Sequence, residues 1–177
     1  PSLWLKGEVE KSFLKEKEVF VINNGIDLNV FKPVESDFKK RHNIEDKFLV
    51  LGVADYWEER KGFDTFIKLS NSLDDRFRIV LVGTDEETEK LLPKNVIAVR
   101  RTSNQSELAE IYSSADVLVN PTREDNFPTV NMESLACGTP VVTFNTGGSA
   151  EIIDSTCGIA VDKGEEYALG KSSVIDF

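Results

Sequence analysis

The stretch that decides the fold is VLVNPTREDNFPTVNMESLACGTPVVTF, which runs from Val117 to Phe144. It begins as an apolar run, continues through a polar loop and a helical segment at 129–137, and ends in a second apolar run. Pro128 suits the first turn of that helix, and Gly138 is placed to end it. The stretch therefore predicts a strand–helix–strand unit with a polar loop directly after its first strand.

Further apolar runs of strand length lie on either side of this unit, with helical patterns between them. They are continuously apolar rather than alternating, which is typical of strands covered on both faces in a parallel sheet. The predicted strands are 19–22, 48–53, 78–82, 96–99, 117–119 and 141–144, and the predicted helices are 63–69, 106–114, 129–137 and a short one at 149–153. The alternation predicts an α/β fold with a doubly wound parallel sheet, in which ligands bind beyond the carboxyl ends of the strands.

Composition excludes several classes of protein. The chain has 177 residues, of which 40% are apolar and 29% charged, as in an ordinary soluble domain. Its net charge of -10 argues against a nucleic-acid binder, because such proteins carry a surplus of Lys and Arg. No apolar run approaches the roughly 20 residues that span a bilayer. Cys137 and Cys157 have no metal-ligand spacing; a disulfide stays open, although we expect a reduced, cytoplasmic protein.

The two ends of the chain depart from the alternating pattern. Residues 1–17 carry Trp4, Phe13 and Leu14 at helical spacing, and residues 165–177 look like a helix that begins and then stops. The chain shows no signal peptide and no initiator Met. We therefore expect a domain that has been truncated on both sides.

Acidic side chains flank the start of the 129–137 helix. Asp125 lies in the loop before it, and Glu133 lies inside it. A helix start offers backbone N–H groups and the positive end of the helix dipole, which suit a phosphate. Carboxylates beside it can accept hydrogen bonds from sugar or ribose hydroxyls. Acids near helix starts are equally typical of capping and solvation, so spacing alone leaves both interpretations open.

Weaker candidates lie at other predicted strand ends. Arg60-Lys61-Gly62 precedes a helix, where cations and a glycine suit a diphosphate. Gly147-Gly148 can supply a positive φ or a close approach to a ligand, and Gly83-Thr84-Asp85 ends another strand. A plain turn or a solvated loop explains each of them equally well, so none decides alone.

Several segments together resemble one known family. Residues 121–153 closely resemble the signature of the family-four glycosyltransferases of the GT-B fold: an acidic residue, seven others and a Glu, then a small-residue helix, Gly-Thr-Pro-Val-Val and a Gly-Gly-x-x-Glu turn. The acidic pair falls on Asp125 and Glu133. Lys61-Gly62 looks like the family's diphosphate-binding pair, 108–122 like its helix–strand pair, and 21–33 like the entry to its C-terminal domain. The resemblance covers nearly the whole chain from Ser2 onward.

The resemblance implies a Rossmann-like donor-binding domain of a retaining enzyme that transfers a hexose from a nucleotide-sugar to a glycan or a lipid-linked acceptor. Glu133 would bind the ribose hydroxyls, Asp125 the hydroxyls of the transferred sugar and Lys61 the diphosphate. The nucleotide base would pack near 99–102. No metal and no other cofactor is expected, since cationic side chains and a helix dipole can neutralise the leaving diphosphate. Further substrate-binding residues would be Gly25, Arg60, Arg101, Asn126, Phe127, Pro128, Thr129 and Val130.

The resemblance also implies a division of the chain. Residues 1–17 would be a remnant of an N-terminal domain or linker helix, and 18–177 the nucleotide-sugar-binding domain, truncated at its C-terminus. The acceptor would bind through the missing N-terminal domain, so we expect the fragment to be inactive alone and to be a monomer or a weak dimer. No nucleic-acid partner is expected. The full-length enzyme would serve polysaccharide biosynthesis, either in the cytoplasm or peripherally at the inner membrane face.

The chain departs from the family pattern at two positions that bear on the site. Asp125 is a methylene shorter than the family's usual Glu, and Glu124 lies adjacent to it. The family's diphosphate-binding Arg is absent from 52–57, so we expect Arg60 to replace it or donor affinity to be weaker.

A nucleotide-sugar 2-epimerase shares the architecture, and a non-catalytic binding module of the receiver type is a further alternative. A dinucleotide oxidoreductase is disfavoured, since no GxGxxG follows the first strand. His42 and Asp74-Asp75 are expected to have no catalytic role.

Overall fold

A computed structural model of the chain describes residues 1–163 and shows one parallel sheet of six strands. The helix expected at 165–177 lies outside the described residues. The strand order is β3-β2-β1-β4-β5-β6, and every neighbouring pair is parallel. The strands are β1 (Phe48–Val53), β2 (Phe77–Val82), β3 (Val96–Val99), β4 (Val117–Asn120), β5 (Val141–Phe144) and β6 (Gly158–Val161).

Helices connect the first five strands in succession and cover both faces of the sheet, whereas turns connect β5 to β6. Their bounds are α1 (Leu3–Glu10), α2 (Phe38–Arg41), α3 (Phe63–Ser72), α4 (Glu86–Leu91), α5 (Gln105–Ser114) and α6 (Thr129–Ala136), with a 3₁₀ turn at Glu59–Lys61. Asn104 caps α5 by accepting a hydrogen bond from the backbone N–H of Glu107, and Asp85 caps α4 in the same way through Thr88. The predicted doubly wound architecture is therefore confirmed.

Two apolar cores, one on each side of the sheet, explain the continuous apolar character of the strands. In β1, Leu49 and Leu51 pack on the side of α2, α5 and α6, whereas Val50 packs with Phe66 of α3 on the other side. All three strand side chains are fully buried. The inference from the apolar runs that the strands are covered on both faces is correct.

Some local predictions are wrong. The predicted strand at 19–22 belongs to no strand in the described part of the chain, and its Phe20 and Ile22 side chains are 76% and 81% exposed. The predicted helix at 149–153 consists of turns. Sequence analysis also missed β6 and α4. Both cysteines are free thiols, and Cys137 is buried as expected.

The first residues of the chain are attached to the domain through the turn that follows β5. Ser2 is buried, and the carboxylate of Glu151 accepts hydrogen bonds from the backbone N–H groups of Leu3 (2.8 Å) and Trp4 (2.7 Å). The helical pattern expected in residues 1–17 is thus realised in α1. Phe13, which follows that helix, is exposed.

Candidate functional site

A cleft of about 310 Å³ opens at the carboxyl ends of β1 and β4. These two strands are neighbours, and the chain winds away from them in opposite directions across the sheet. This is the switch point of the topology, where doubly wound proteins bind their ligands. The described residues that line the cleft are Val53, Ala54, Asp55, Lys61, Leu108, Asn120, Asp125, Phe127, Pro128, Thr129, Val130 and Glu133.

An ion pair joins two of the predicted site residues across the cleft. The Nζ atom of Lys61 lies 2.8 Å from Oδ2 of Asp125. Lys61 ends the 3₁₀ turn, and Gly62 then takes a left-handed conformation with φ of 79°. A Cβ atom at Gly62 would meet Pro121 within 2.5 Å, so only glycine allows this approach.

The two loops that carry this ion pair are interlocked by other contacts. The backbone N–H of Arg123 donates to the carbonyl of Arg60 at 2.8 Å, and the Arg123 guanidinium bonds to Asp64 at 2.7 Å. That guanidinium is the largest influence lowering the pKa of the Asp64 carboxyl. The neighbourhood of Lys61 and Asp125 is therefore fixed by the folded chain.

The guanidinium group of Arg60 forms hydrogen bonds to both of these loops. Its Nε donates to Glu58 at 2.8 Å, its Nη2 to the hydroxyl of Tyr56 at 3.1 Å and its Nη1 to the carbonyl of Glu124 at 3.2 Å. Each nitrogen of the guanidinium group thus has a protein partner, and Arg60 is not among the residues that line the cleft. Replacement of the family's missing Arg by Arg60 would require these three bonds to change.

Glu133 lies on α6 with its carboxylate at the cleft. Its Oε2 accepts a hydrogen bond of 2.9 Å from the hydroxyl of Tyr112 on α5. Burial raises the pKa of Glu133, hydrogen bonds from Tyr112 and Thr129 oppose that change, and the charge of Asp55 adds to it. The half-buried carboxylate is therefore supported from within the fold by the hydroxyl of Tyr112.

The start of α6 also faces the cleft. Pro128 occupies the N-cap position and supplies no side-chain acceptor, and Thr129 and Val130 of the first turn line the cleft. The unsatisfied N–H groups of a first helical turn attract anions. The floor of the cleft is fixed by buried amides: Asn120 donates to Asn131 at 2.8 Å, and Asn131 donates to the carbonyl of Ser149 at 3.0 Å.

The Gly-Gly turn contacts protein backbone. Gly147 has φ of 56°, and a Cβ atom there would lie 2.0 Å from the carbonyl oxygen of Asp125. Gly148 donates its N–H to that same carbonyl at 3.0 Å. The predicted positive φ is present at Gly147, but the close approach is made to the protein's own acidic loop rather than to a ligand.

The structure brings most, but not all, of the predicted site residues together. Lys61, Asp125, Glu133 and residues 127–130 share the cleft, whereas Gly25, Arg60, Arg101 and Asn126 do not line it. Gly25, Arg101 and Asn126 are exposed. Asp85 caps a helix, and Asp74 binds the adjacent Arg76, so both have structural partners.

Three polar residues that line the cleft or support it were not predicted from the sequence. Asp55 lies two residues after the end of β1, a position at the carboxyl end of a strand that could have indicated it. Asn120 is the last residue of β4, so its position at the carboxyl end of a strand could have indicated it as well. Tyr112 gave no such signal, because its contact with Glu133 depends on how α5 packs against α6.

Over residues 1–163, no three His, Cys, Asp or Glu side chains converge to hold a metal ion, and no described helix is both long and apolar enough to cross a membrane.

Residues 46–173 match the family of glycosyl transferases group 1, which is most of the chain. The chain belongs to that family. A relative from Campylobacter jejuni, N,N'-diacetylbacillosaminyl-diphospho-undecaprenol alpha-1,3-N-acetylgalactosaminyltransferase, is 32% identical over 153 residues, which are 80% of this chain and 40% of the relative. The D-inositol 3-phosphate glycosyltransferase of Streptosporangium roseum is 30% identical over 81% of this chain and 38% of its own length.

Solved structures share the fold. Sucrose-phosphate synthase from Thermosynechococcus elongatus superposes with a TM-score of 0.84 at 25% identity, over 99% of this chain and 47% of that one. HepE of Anabaena, solved in complex with UDP-glucose, gives 0.76 at 22% identity over 89% of this chain and 46% of that one. These matches confirm the predicted fold class, the Rossmann-like half of a GT-B glycosyltransferase. The chain spans about two fifths of the length of the curated relatives it matches.

Proposed function

We propose that this chain is the donor-binding domain of a retaining glycosyltransferase, which transfers a hexosyl group from a nucleotide-sugar to a glycan or lipid-linked acceptor. One observation carries the proposal. The cleft at the switch point combines the Lys61–Asp125 ion pair, the Glu133 carboxylate and the start of α6 within about 310 Å³. That combination offers a cation and a helix dipole to a diphosphate, and carboxylates to the hydroxyls on either side of it.

Each part of the donor has a matching group. The ribose hydroxyls would donate to Glu133, the diphosphate would lie at the start of α6, and the hydroxyls of the transferred sugar would donate to Asp125. Lys61 would turn from Asp125 to the diphosphate and stabilise the negative charge that grows as the bond between the anomeric carbon and the phosphate oxygen breaks. The acceptor oxygen would form its bond on the same face of the sugar and pass its proton to the departing phosphate oxygen, which retains the anomeric configuration. HepE, which has the same fold, binds UDP-glucose, and this supports a nucleotide-sugar donor.

The charges in the cleft predict weak donor binding by this chain alone. Lys61 is accompanied there by three carboxylates, those of Asp55, Asp125 and Glu133. A diphosphate brings further negative charge, so the described residues leave the site short of cations. We therefore propose that the 177 residues bind the donor weakly and transfer little sugar. The named relatives are glycosyltransferases, which favours transfer over the 2-epimerase alternative.

The test is a calorimetric titration of the chain with UDP, GDP, ADP, UDP-glucose and GDP-mannose. We expect a nucleotide with one of these bases to bind best. Lys61→Ala and Glu133→Gln should each weaken the binding of that nucleotide about tenfold, which is the effect of losing one charge-assisted hydrogen bond. Lys94→Ala is the matched control, because Lys94 is exposed and lies just before the amino end of β3. The cleft lies at the carboxyl ends of the strands. Binding that is insensitive to Lys61 and Glu133 would place the donor elsewhere.

A further inference from the structure

Tyr112 is a fully buried tyrosine whose hydroxyl contacts Glu133, a residue that lines the cleft. Its side chain has no solvent exposure, and its hydroxyl donates to Oε2 of Glu133 at 2.9 Å. Burial and the neighbouring Glu133 charge both raise the pKa of the Tyr112 phenol well above its ordinary value. The phenol therefore stays protonated and acts as a permanent donor to that carboxylate.

The tyrosine is held firmly within its helix and the core. Its ring meets Phe31 edge-on, with 6.2 Å between the ring centroids and an angle of 72° between their planes. Its backbone carbonyl accepts a hydrogen bond of 2.6 Å from the hydroxyl of Thr139. A side chain so enclosed has little freedom to rotate. The hydroxyl is thus a fixed point from which the orientation of Glu133 is set.

Glu133, by contrast, would not be fixed by packing alone. A glutamate has three side-chain torsions, and holding it in one rotamer costs conformational entropy. The hydroxyl of Tyr112 donates to its carboxylate. With one oxygen held from below by Tyr112, the carboxylate remains free to accept hydrogen bonds from hydroxyls that enter the cleft.

We propose that Tyr112 is a positioning residue: its buried hydroxyl holds the Glu133 carboxylate in the orientation that accepts the ribose hydroxyls of the donor. The proposal rests on the proposed function, since it concerns the nucleoside end of the same site. A hydrogen bond from a rigid donor prepares the carboxylate before the ligand arrives, so less ordering is required on binding. Tyr112 itself touches neither the sugar nor the diphosphate.

The experiment compares three forms of the nucleotide that binds best: the ribonucleotide, its 2'-deoxy form and its 3'-deoxy form. In the wild-type chain, removing a hydroxyl that Glu133 accepts should weaken binding about tenfold. In Tyr112→Phe, the ribonucleotide should bind about tenfold more weakly, while the deoxy form that the wild type disfavours should change little. The ratio of the two affinities should therefore fall towards one.

Tyr56→Phe is the matched control. It likewise removes a tyrosine hydroxyl, but one whose partner is Arg60 rather than Glu133. Any effect of Tyr56→Phe should be equal for all three nucleotides. A double-mutant cycle completes the test: in a Glu133→Ala background, Tyr112→Phe should no longer alter the affinity ratio. Because the ratio is compared within one protein, loss of folded material cannot imitate the expected result.

The possible results separate the two proposals. A wild-type chain that binds a nucleotide and distinguishes the deoxy forms, with the same ratio in Tyr112→Phe, would overturn the role of Tyr112 and leave the proposed function intact. An equal loss of affinity for all three nucleotides in Tyr112→Phe would indicate a purely structural tyrosine and would also overturn it. Absence of nucleotide binding by the wild-type chain would remove the proposed function and this inference together.

Discussion

Lys61 and Asp125 form an ion pair in which both side chains are largely shielded from solvent, with 25% of the lysine side chain and 18% of the aspartate side chain exposed. In the unliganded domain, the Lys61 ammonium that we propose binds the diphosphate is therefore already neutralised by the carboxylate of Asp125, which we propose binds the sugar. A ligand that carries both a diphosphate and a sugar can bind the two separated partners at once. A nucleotide without a sugar cannot do so.

This relationship predicts opposite effects of one substitution on two ligands. Asp125→Asn releases Lys61 and removes one negative charge, so the nucleoside diphosphate should bind about threefold to fivefold more tightly, the worth of a partly exposed ion pair. The nucleotide-sugar should lose the additional affinity that it gains from its sugar. Isothermal titration with both ligands measures the two changes.

Lys94→Ala serves as the charge control for that experiment, and it should leave both affinities within about twofold at moderate salt, where distant exposed charges are screened. The interpretation would be contradicted if Asp125→Asn weakened the nucleoside diphosphate as strongly as it weakened the nucleotide-sugar. That result would indicate that Asp125 supports the fold of the loop rather than opposing Lys61.

Glu133 predicts a trade-off between stability and binding. Burial raises the pKa of its carboxyl above the unfolded value, so the folded state binds more protons than the unfolded state between those two pKa values. The stability it contributes is therefore present below the unfolded pKa and is lost as pH rises through the folded pKa. We expect Glu133→Gln to be more stable than the wild type at pH 7, by about 1 kcal/mol or a few degrees in melting temperature.

Thermal unfolding of both proteins between pH 4 and pH 8 checks this prediction. The difference in melting temperature should grow as pH rises and should be smallest at pH 4. Glu110→Gln is a suitable control on α5, because the Glu110 side chain is 42% exposed. A Glu133→Gln protein that is less stable than the wild type at neutral pH would show that the bond from Tyr112 outweighs the cost of burial.

The sequence predicted the sheet well because its interior strands are apolar on both faces, and that signal is local. The same signal was wrong at 19–22, where Phe20 and Ile22 are exposed. A short apolar run forms a strand only where it pairs with a neighbouring strand, and residues 19–22 make no such pairing in the described part of the chain. Strand β6 (Gly158–Val161) was not predicted because two of its four residues, Gly158 and Ala160, are poor strand formers.

Polar segments were harder to assign for the opposite reason. Helix α4 has no apolar stripe, and its only sequence signals are Asp85 at the N-cap and the acidic residues of the first turn. In the site, the positions of Asp125 and Glu133 could be predicted from a motif within one segment. The contact between Tyr112 and Glu133 could not, because it joins two helices that meet only in the folded chain.

Gly148 predicts a coupling between the start of the chain and the acidic loop. A Cβ atom at this position would lie 2.1 Å from the carbonyl oxygen of Asn126 and 2.7 Å from the Cβ of Ser2. Gly148→Ala must therefore displace one of them, and we expect a loss of about 1–3 kcal/mol in the free energy of unfolding. If the loop yields, donor affinity falls; if Ser2 yields, the amides of Leu3 and Trp4 lose protection from hydrogen exchange.

Gly7→Ala is the matched substitution, since a Cβ atom at Gly7 has no neighbour within 4 Å and the residue lies inside α1. It should stabilise the protein slightly or leave it unchanged, because alanine favours a helix by up to about 1 kcal/mol over glycine. Chemical denaturation of both variants measures the difference. Equal stability of Gly148→Ala and the wild type would show that the contact of the turn with Ser2 and Asn126 relaxes without cost.

Glu151 carries the last prediction, because it is the side chain that attaches α1 to the domain. Its two carboxylate oxygens accept hydrogen bonds from the N–H groups of Leu3 and Trp4, at the end of the helix where the dipole favours a negative charge. Glu151→Ala removes both bonds and should cost about 0.5–2 kcal/mol, as the loss of an N-cap does. Ser2 still caps Leu5, so the helix should loosen from the domain rather than unfold.

Hydrogen exchange at Leu3 and Trp4, together with the fluorescence of Trp4, reports this loosening directly. Glu10→Ala removes a carboxylate from the far end of the same helix, where its partner Lys6 lies 3.8 Å away, and it should change stability by less than about 0.5 kcal/mol. Because Gly148 joins the same turn to the carbonyl of Asp125, loosening at Glu151 should also weaken the sugar-dependent part of donor binding. Unchanged exchange at Leu3 and Trp4 in Glu151→Ala would mean that burial of Ser2 alone holds the helix in place.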